Sequence, residues 1–102
     1  SIENIVYLEL LRRGYRVFIG KVGTTEVDFV AEQQGVYTYF QVTADMAAEE
    51  TFNREIAPLK NIKDNYEKII LPLDRVTLGN YEGIKVINLL DWLLNVNQSI
   101  MY

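Results

Sequence analysis

The 102-residue chain contains neither cysteine nor histidine. Without cysteine there is no disulfide framework, no thiolate nucleophile and no cysteine-based zinc site. Without histidine the Ser-His-Asp triad, the imidazole base and His-ligated metals are excluded as well. Chemistry has to come from carboxylates, amides, hydroxyls, lysine or arginine. Proline occurs twice and tryptophan once. No apolar run reaches the ~18 residues of a membrane span, and the first residues lack the basic-then-apolar layout of a signal peptide. No membrane partner is expected, and the missing disulfides agree with a cytoplasmic location.

What remains is the composition of a folded globular protein: 49% hydrophobic and 24% charged, too apolar for a disordered chain. The length suits a single domain. Ser1 is not an initiator methionine and an apolar helical pattern begins at Ile2, so we expect a fragment of a longer polypeptide. Net charge is −4, which argues against a general nucleic-acid-coating surface. Arg12, Arg13, Arg16 and Lys21 nevertheless outnumber Glu3 and Glu9 in the first part of the chain, while Asp45, Glu49 and Glu50 cluster later. That early excess reads as a solvated helix end, with a local basic patch as the alternative.

Periodicity places a helix over 2–13, apolar around most of its circumference and so expected to be buried on more than one side. Glu9 and Arg13 form an i,i+4 pair, and Gly14 is the expected left-handed terminator. Three strands follow at 15–21, 26–33 and 36–43, rich in Val, Ile, Phe, Tyr and Thr. Short turns at Val22–Thr25 and Gln34–Gly35 make them an antiparallel meander. A second helix is predicted over 49–62, distorted in its last turn by Pro58. A strand at 68–73 follows, with Pro72 marking its end or a sheet edge. Gly79–Gly83 reads as a loop, 84–87 as a short strand, and 89–95 as a last helix burying Leu90, Trp92, Leu93 and Leu94. The order α-β-β-β-α-β-β-α predicts an α/β fold, a mixed sheet flanked by helices.

Strand alternation sets Val27, Phe29 and Ala31 on one face, with Glu26, Asp28, Val30 and Glu32 on the other. In the third strand Thr38, Phe40 and Val42 oppose Tyr37, Tyr39, Gln41 and Thr43. Matching the apolar faces pairs Val27 with Val42 and Phe29 with Phe40, because a slip of one residue would flip every side chain. Asp28 then faces Gln41, and Glu26 faces Thr43. Opposed residues have Cβ atoms about 4.5–5.5 Å apart, so a compact polar cluster is expected on one face. The plainer reading makes this the solvent side of a hairpin.

These residues resemble a known family. An early glutamate on an apolar helix (Ser1–Ile2–Glu3–Asn4), the run E-V-D-F-V-A (Glu26 to Ala31) and the strand Y-F-Q-V-T (Tyr39 to Thr43) resemble the PD-(D/E)XK nuclease superfamily. The αβββαβ order matches its core. Over essentially the whole chain, Glu3 to Tyr15 joined to E-V-D-F-V-A looks like the C-terminal domain of a bacterial and archaeal family of AAA-type P-loop ATPases. That domain has unknown function and a restriction-endonuclease-like fold. The resemblance implies that Glu3 is the first-helix acid, Asp28 the metal-binding aspartate, and Gln41-Val42-Thr43 the E-x-K strand. Asp28 and Glu26 are then the candidate magnesium ligands, magnesium preferring carboxylate oxygens and water. Gln41 removes one acid, however, and Thr43 removes the lysine; each missing electrostatic element can lower rate by ~10²–10³.

The resemblance therefore implies a nuclease fold whose site is inactive: an accessory or interaction domain of an ATPase. Its partners would be the ATPase domain of the same polypeptide and DNA, with ATP bound outside this segment. The alternatives are a residual magnesium-dependent endonuclease using Glu3, Glu26 and Asp28, or a protein-interaction domain with no nucleic-acid role. Other features have plainer explanations. Gly20-Lys21-Val22-Gly23-Thr24-Thr25 lacks the phosphate-loop spacing and reads as a hairpin turn. Tyr37 and Tyr39 suit cross-strand packing better than base stacking, and Trp92 suits the core.

Overall fold

The hydroxyl of Ser1 accepts the N–H of Asn4 and caps a helix of eleven residues, α1 (Ile2–Arg12). Gly14, at φ +91°, turns the chain out of it in the left-handed conformation that glycine tolerates best. In this computed structural model, which describes residues 1–95, α1 is followed by β1 (Arg16–Val22), β2 (Thr25–Gln33) and β3 (Val36–Thr43). Then come α2 (Glu49–Lys60), β4 (Glu67–Pro72), β5 (Gly79–Tyr81), β6 (Ile84–Val86) and α3 (Leu89–Leu93).

The strands form one six-stranded sheet in the order β1-β2-β3-β4-β6-β5. β1–β2 and β2–β3 are antiparallel hairpins, β3–β4 and β4–β6 are parallel, and β5–β6 is antiparallel. The parallel β3–β4 pair needs a crossover, which α2 supplies. The fold is the expected mixed α/β sheet flanked by helices. Val6 and Leu10 of α1 pack with Phe29, Phe40 and Trp92 on one face. Ile56 and Leu59 of α2 pack with Val30, Tyr39 and Ile70 on the other. A sheet apolar on both faces explains the near-continuous Ile69-Ile70-Leu71 run in β4.

Several expectations change. α1 is buried on one side only: Val6 and Leu10 are inaccessible, while Ile5, Leu8 and Leu11 are 49%, 62% and 43% exposed. Likewise α3 buries Leu89 and Trp92 but leaves Leu90 and Leu94 at 50% and 75% exposure. Each helix has a single sheet face to lie on, and no described element covers its outer side. Of the two expected roles for Pro72 the structure has the first, since it ends a central strand, and α2 runs through Pro58 as expected but stops at Lys60. The expected loop at Gly79–Gly83 contains a strand: Gly79–Tyr81 pairs with β6 through a turn whose residues Glu82 and Gly83 both have positive φ.

A buried asparagine joins the end of β4 to α3. The side chain of Asn88 is inaccessible to solvent. Its amide nitrogen donates to the carbonyls of Leu73 (3.0 Å) and Asp74 (3.2 Å), and its oxygen accepts the Asp91 N–H at 3.1 Å as the α3 cap. Arg75 closes over the same turn with two bonds to Asp91, 2.8 and 2.9 Å long. Asn88→Ala removes the cap and strands buried carbonyls, so we expect a loss of about 2–4 kcal/mol in denaturant unfolding. A change below half a kcal/mol would remove Asn88 from this role.

Candidate functional site

The register of β2 and β3 is the expected one from Gln33↔Val36 to Phe29↔Phe40, and there the regular pairing stops. On the other side of β2, Phe18 faces Val30 but Gly20 faces Val27, so Ile19 alone opposes Asp28 and Phe29. That two-against-one count is a β-bulge, which bends the strand and re-aims its side chains. Val27 is thereby turned to the α2 side, while Phe29, Ala31 and Val42 face α1. The expected sharing of a face by Val27, Phe29 and Ala31, and the pairing of Val27 with Val42, are corrected accordingly.

At the bulge, side chains take over from the ladder. The backbone N–H of Asp28 donates to Oε1 of Gln41 at 2.9 Å, and the N–H of Val42 donates to Oδ2 of Asp28 at 2.8 Å. Strand N–H groups point along the sheet plane, so both side chains reach into the gap between the parting strands. The expected proximity of Asp28 and Gln41 is therefore present, but as reciprocal side-chain-to-backbone bonds. Gln41 is buried and Asp28 half-buried.

The remaining expected positions separate. Thr43 turns its hydroxyl to the carbonyl of Asp45 at 3.2 Å and sits beside Pro72 of β4. Glu26 does not face Thr43: it is exposed on the β1–β2 arm opposite Lys21, because the bulge shifts the register below Phe29. Glu3, exposed in the first turn of α1, is near enough to act on Asp28 as a like charge. The early basic residues do not form one patch. Arg12 and Arg13 both bond Glu9, at 2.7 and 2.6 Å, and Arg13 lies 4.2 Å over the Trp92 ring.

Sequence reasoning missed Glu55. It lies half-buried on α2, between Phe52, Ile56 and Leu59 on the inward stripe. A glutamate at the i+3 position of an otherwise apolar helical stripe was the available signal. Burial, then the charges of Asp28 and Glu3, push its carboxyl above the ordinary range. Asp28 is pushed up too, by burial first and also by Glu3, against the Val42 N–H that lowers it. Three carboxylates from α1, β2 and α2 thus repel one another at the fork.

Do these groups suit the magnesium ion the resemblance implies? The donor set does not fit it. Asp28 and Gln41 already spend an oxygen each on backbone N–H groups. Among the described residues no group of three or more acidic side chains is arranged to hold a metal ion. A cleft of about 700 Å³ lies toward the start of β4, between Leu59, Lys63, Tyr66 and Gly83, away from the fork.

No family model matches the sequence. It is similar to an uncharacterized protein of Haemophilus influenzae (strain Rd), 43% identical over 93 residues. The match takes in 91% of this chain but 22% of that protein. The chain therefore spans about a fifth of the length of the curated relative. No helix among the described residues is long and apolar enough to cross a membrane.

The raised carboxyls make a stability prediction. When the folded pKa lies above the unfolded one, the folded state binds more protons, and stability falls as pH rises through that interval. Asp28→Asn keeps an oxygen for Val42 while removing the charge, and Glu55→Gln removes the other. Each substitution should raise the thermal midpoint by a few degrees at neutral pH. The gain should vanish as pH falls toward the ordinary carboxylate values of 3.8 and 4.5. Thermal melts across pH check this; neutral-pH destabilisation by Glu55→Gln would contradict it.

Proposed function

We propose that this chain is a non-catalytic, nuclease-like module of a longer polypeptide, an AAA-type P-loop ATPase whose ATP site lies outside the segment. The observation that carries the reading is the fork itself. Where an active nuclease would present free acidic oxygens and a lysine, Asp28 and Gln41 are bonded to the opposite strand and Thr43 to its own loop. Magnesium has no prepared site there, and no step of hydrolysis is available through these groups.

The work left to such a module is contact. Ile5, Leu8 and Leu11 of α1 and Leu90 and Leu94 of α3 expose an apolar layer on one side of the sheet. The two helices are tied together, since Arg13 at the end of α1 donates to the Trp92 carbonyl of α3 and covers its ring. Exposed apolar layers of this kind mark interaction surfaces. With most of the relative's length outside the matched region, the remainder of the same polypeptide is the natural occupant. DNA contact is the accompanying part of the proposal, and salt-dependent retention on DNA tests it.

One observation favours residual metal-dependent cleavage instead: the mutual repulsion of Glu3, Asp28 and Glu55, which a cation would relieve. The two readings separate cleanly. We expect magnesium or manganese to leave the melting temperature unchanged, and plasmid and branched DNA to stay intact. The variant Gln41→Glu with Thr43→Lys should gain metal affinity that the natural chain lacks. Cleavage by the natural chain, abolished by Asp28→Ala, would overturn the proposal.

A further inference from the structure

β1 is an edge strand. It pairs with β2 on one side, and no described strand lies on the other. Seven residues at an edge leave a row of unpaired N–H and C=O groups, which proteins commonly blunt with charged side chains, a bulge, proline or a covering element. In β1 the charges stand toward the ends, at Arg16 and Lys21, there is no proline, and the centre carries Phe18 at 45% and Ile19 at 75% exposure. Adjacent residues of a strand point to opposite faces. The apolar exposure therefore belongs to the edge, not to one face.

The α2 side of this edge is also open. α2 packs on β2, β3, β4 and β6, leaving a mainly apolar groove of about 470 Å³ lined by Phe18, Val22, Val30, Tyr37, Tyr39 and Tyr66, with Lys21 at its border. Gly20 lies between Phe18 and Val22 on that side. Its φ of +117° favours glycine, and a Cβ there would meet no atom within 4 Å. The groove is therefore continued by empty space at the strand edge.

We propose that a second copy of this chain occupies the edge, β1 pairing antiparallel with β1 about a two-fold axis at Ile19. β1 runs from Arg16 to Val22, so an axis at its central residue is the register that pairs all seven residues. Ile19 then meets Ile19 of the second copy on the α1 side. Phe18 faces Gly20 of the second copy on the groove side, where the open space receives a ring. Aromatic side chains set across from strand glycines stabilise edges in this way. Arg16 faces Val22 and Lys21 faces Val17, so no like charges are opposed. Every contact off the axis occurs twice, and Ile19 meets its own copy on it, as a two-fold interface requires. The two six-stranded sheets become one, and neither the fork nor the α1–α3 layer is used.

Sedimentation equilibrium of the 102-residue chain at micromolar and higher concentration tests this, with circular dichroism to confirm folding. The natural chain should be dimeric. Ile19→Lys places two ammonium groups together at the axis and should weaken dimerisation about tenfold or more, since opposed like charges destabilise a strand pair. Ile19→Thr, which keeps strand propensity and adds no charge, should weaken it less. Leu8→Lys, on the α1 layer, should leave the dimer intact. A monomer at every concentration overturns the proposal. So does a dimer that Leu8→Lys dissolves and Ile19→Lys does not.

Discussion

Two hydrogen bonds at the parting of β2 and β3 govern how the rest of this molecule is arranged. Where the ladder ends beyond Phe29 and Phe40, the N–H groups of Asp28 and Val42 would otherwise lie unpaired in a half-buried gap. Leaving such groups without partners costs about 1–3 kcal/mol each. The carbonyl oxygen of Gln41 and the carboxylate of Asp28 satisfy them across the gap, at 2.9 and 2.8 Å. The bulge in β2 is thereby fixed, and with it the face to which Val27 turns. The α2-side core inherits Val27, and the α1-side core keeps Phe29 and Val42.

The same bonds underlie the proposal that the site is inert. A carboxylate that accepts a strand N–H and an amide that replaces an acid form a poor cradle for a hard cation. Glu55 and Glu3 add negative potential without adding an arranged ligand set. The outcome is a site whose charges still repel, as the raised carboxyls of Asp28 and Glu55 indicate, while its oxygens serve the fold. Like-charge repulsion of this kind lowers stability, and packing elsewhere outweighs it. Here the two-sided core around β4 supplies that packing.

Most of the architecture was legible in the sequence, for identifiable reasons. Period-two alternation in Tyr37 to Thr43 and the glycine at 35 fixed the β2–β3 register. The apolar run Ile69-Ile70-Leu71 marked a central strand. Three things were not legible. The bulge at Asp28–Phe29 has no local signature, because E-V-D-F-V-A alternates as well as any regular strand. The strand Gly79–Tyr81 looks like a loop, since glycine and asparagine have low strand propensity and only pairing with β6 overrides it. The exposed sides of α1 and α3 looked like core, because leucine and isoleucine do not reveal whether a chain buries them within itself or against something else. Of the candidate residues, Asp28 and Gln41 meet, Glu26 and Thr43 do not share their site, and Glu55 was the one left out.

Amide hydrogen exchange measured residue by residue addresses the fork most directly. Slow exchange is expected at the amides of Asp28 and Val42, although neither has a ladder partner from the opposite strand. Gln41→Ala should speed exchange selectively at residue 28, Asp28→Ala selectively at residue 42, and magnesium should change neither. Fast exchange at both amides in the natural chain, or exchange that magnesium alters in a saturable way, would contradict the claim that these two side chains are committed to the fold.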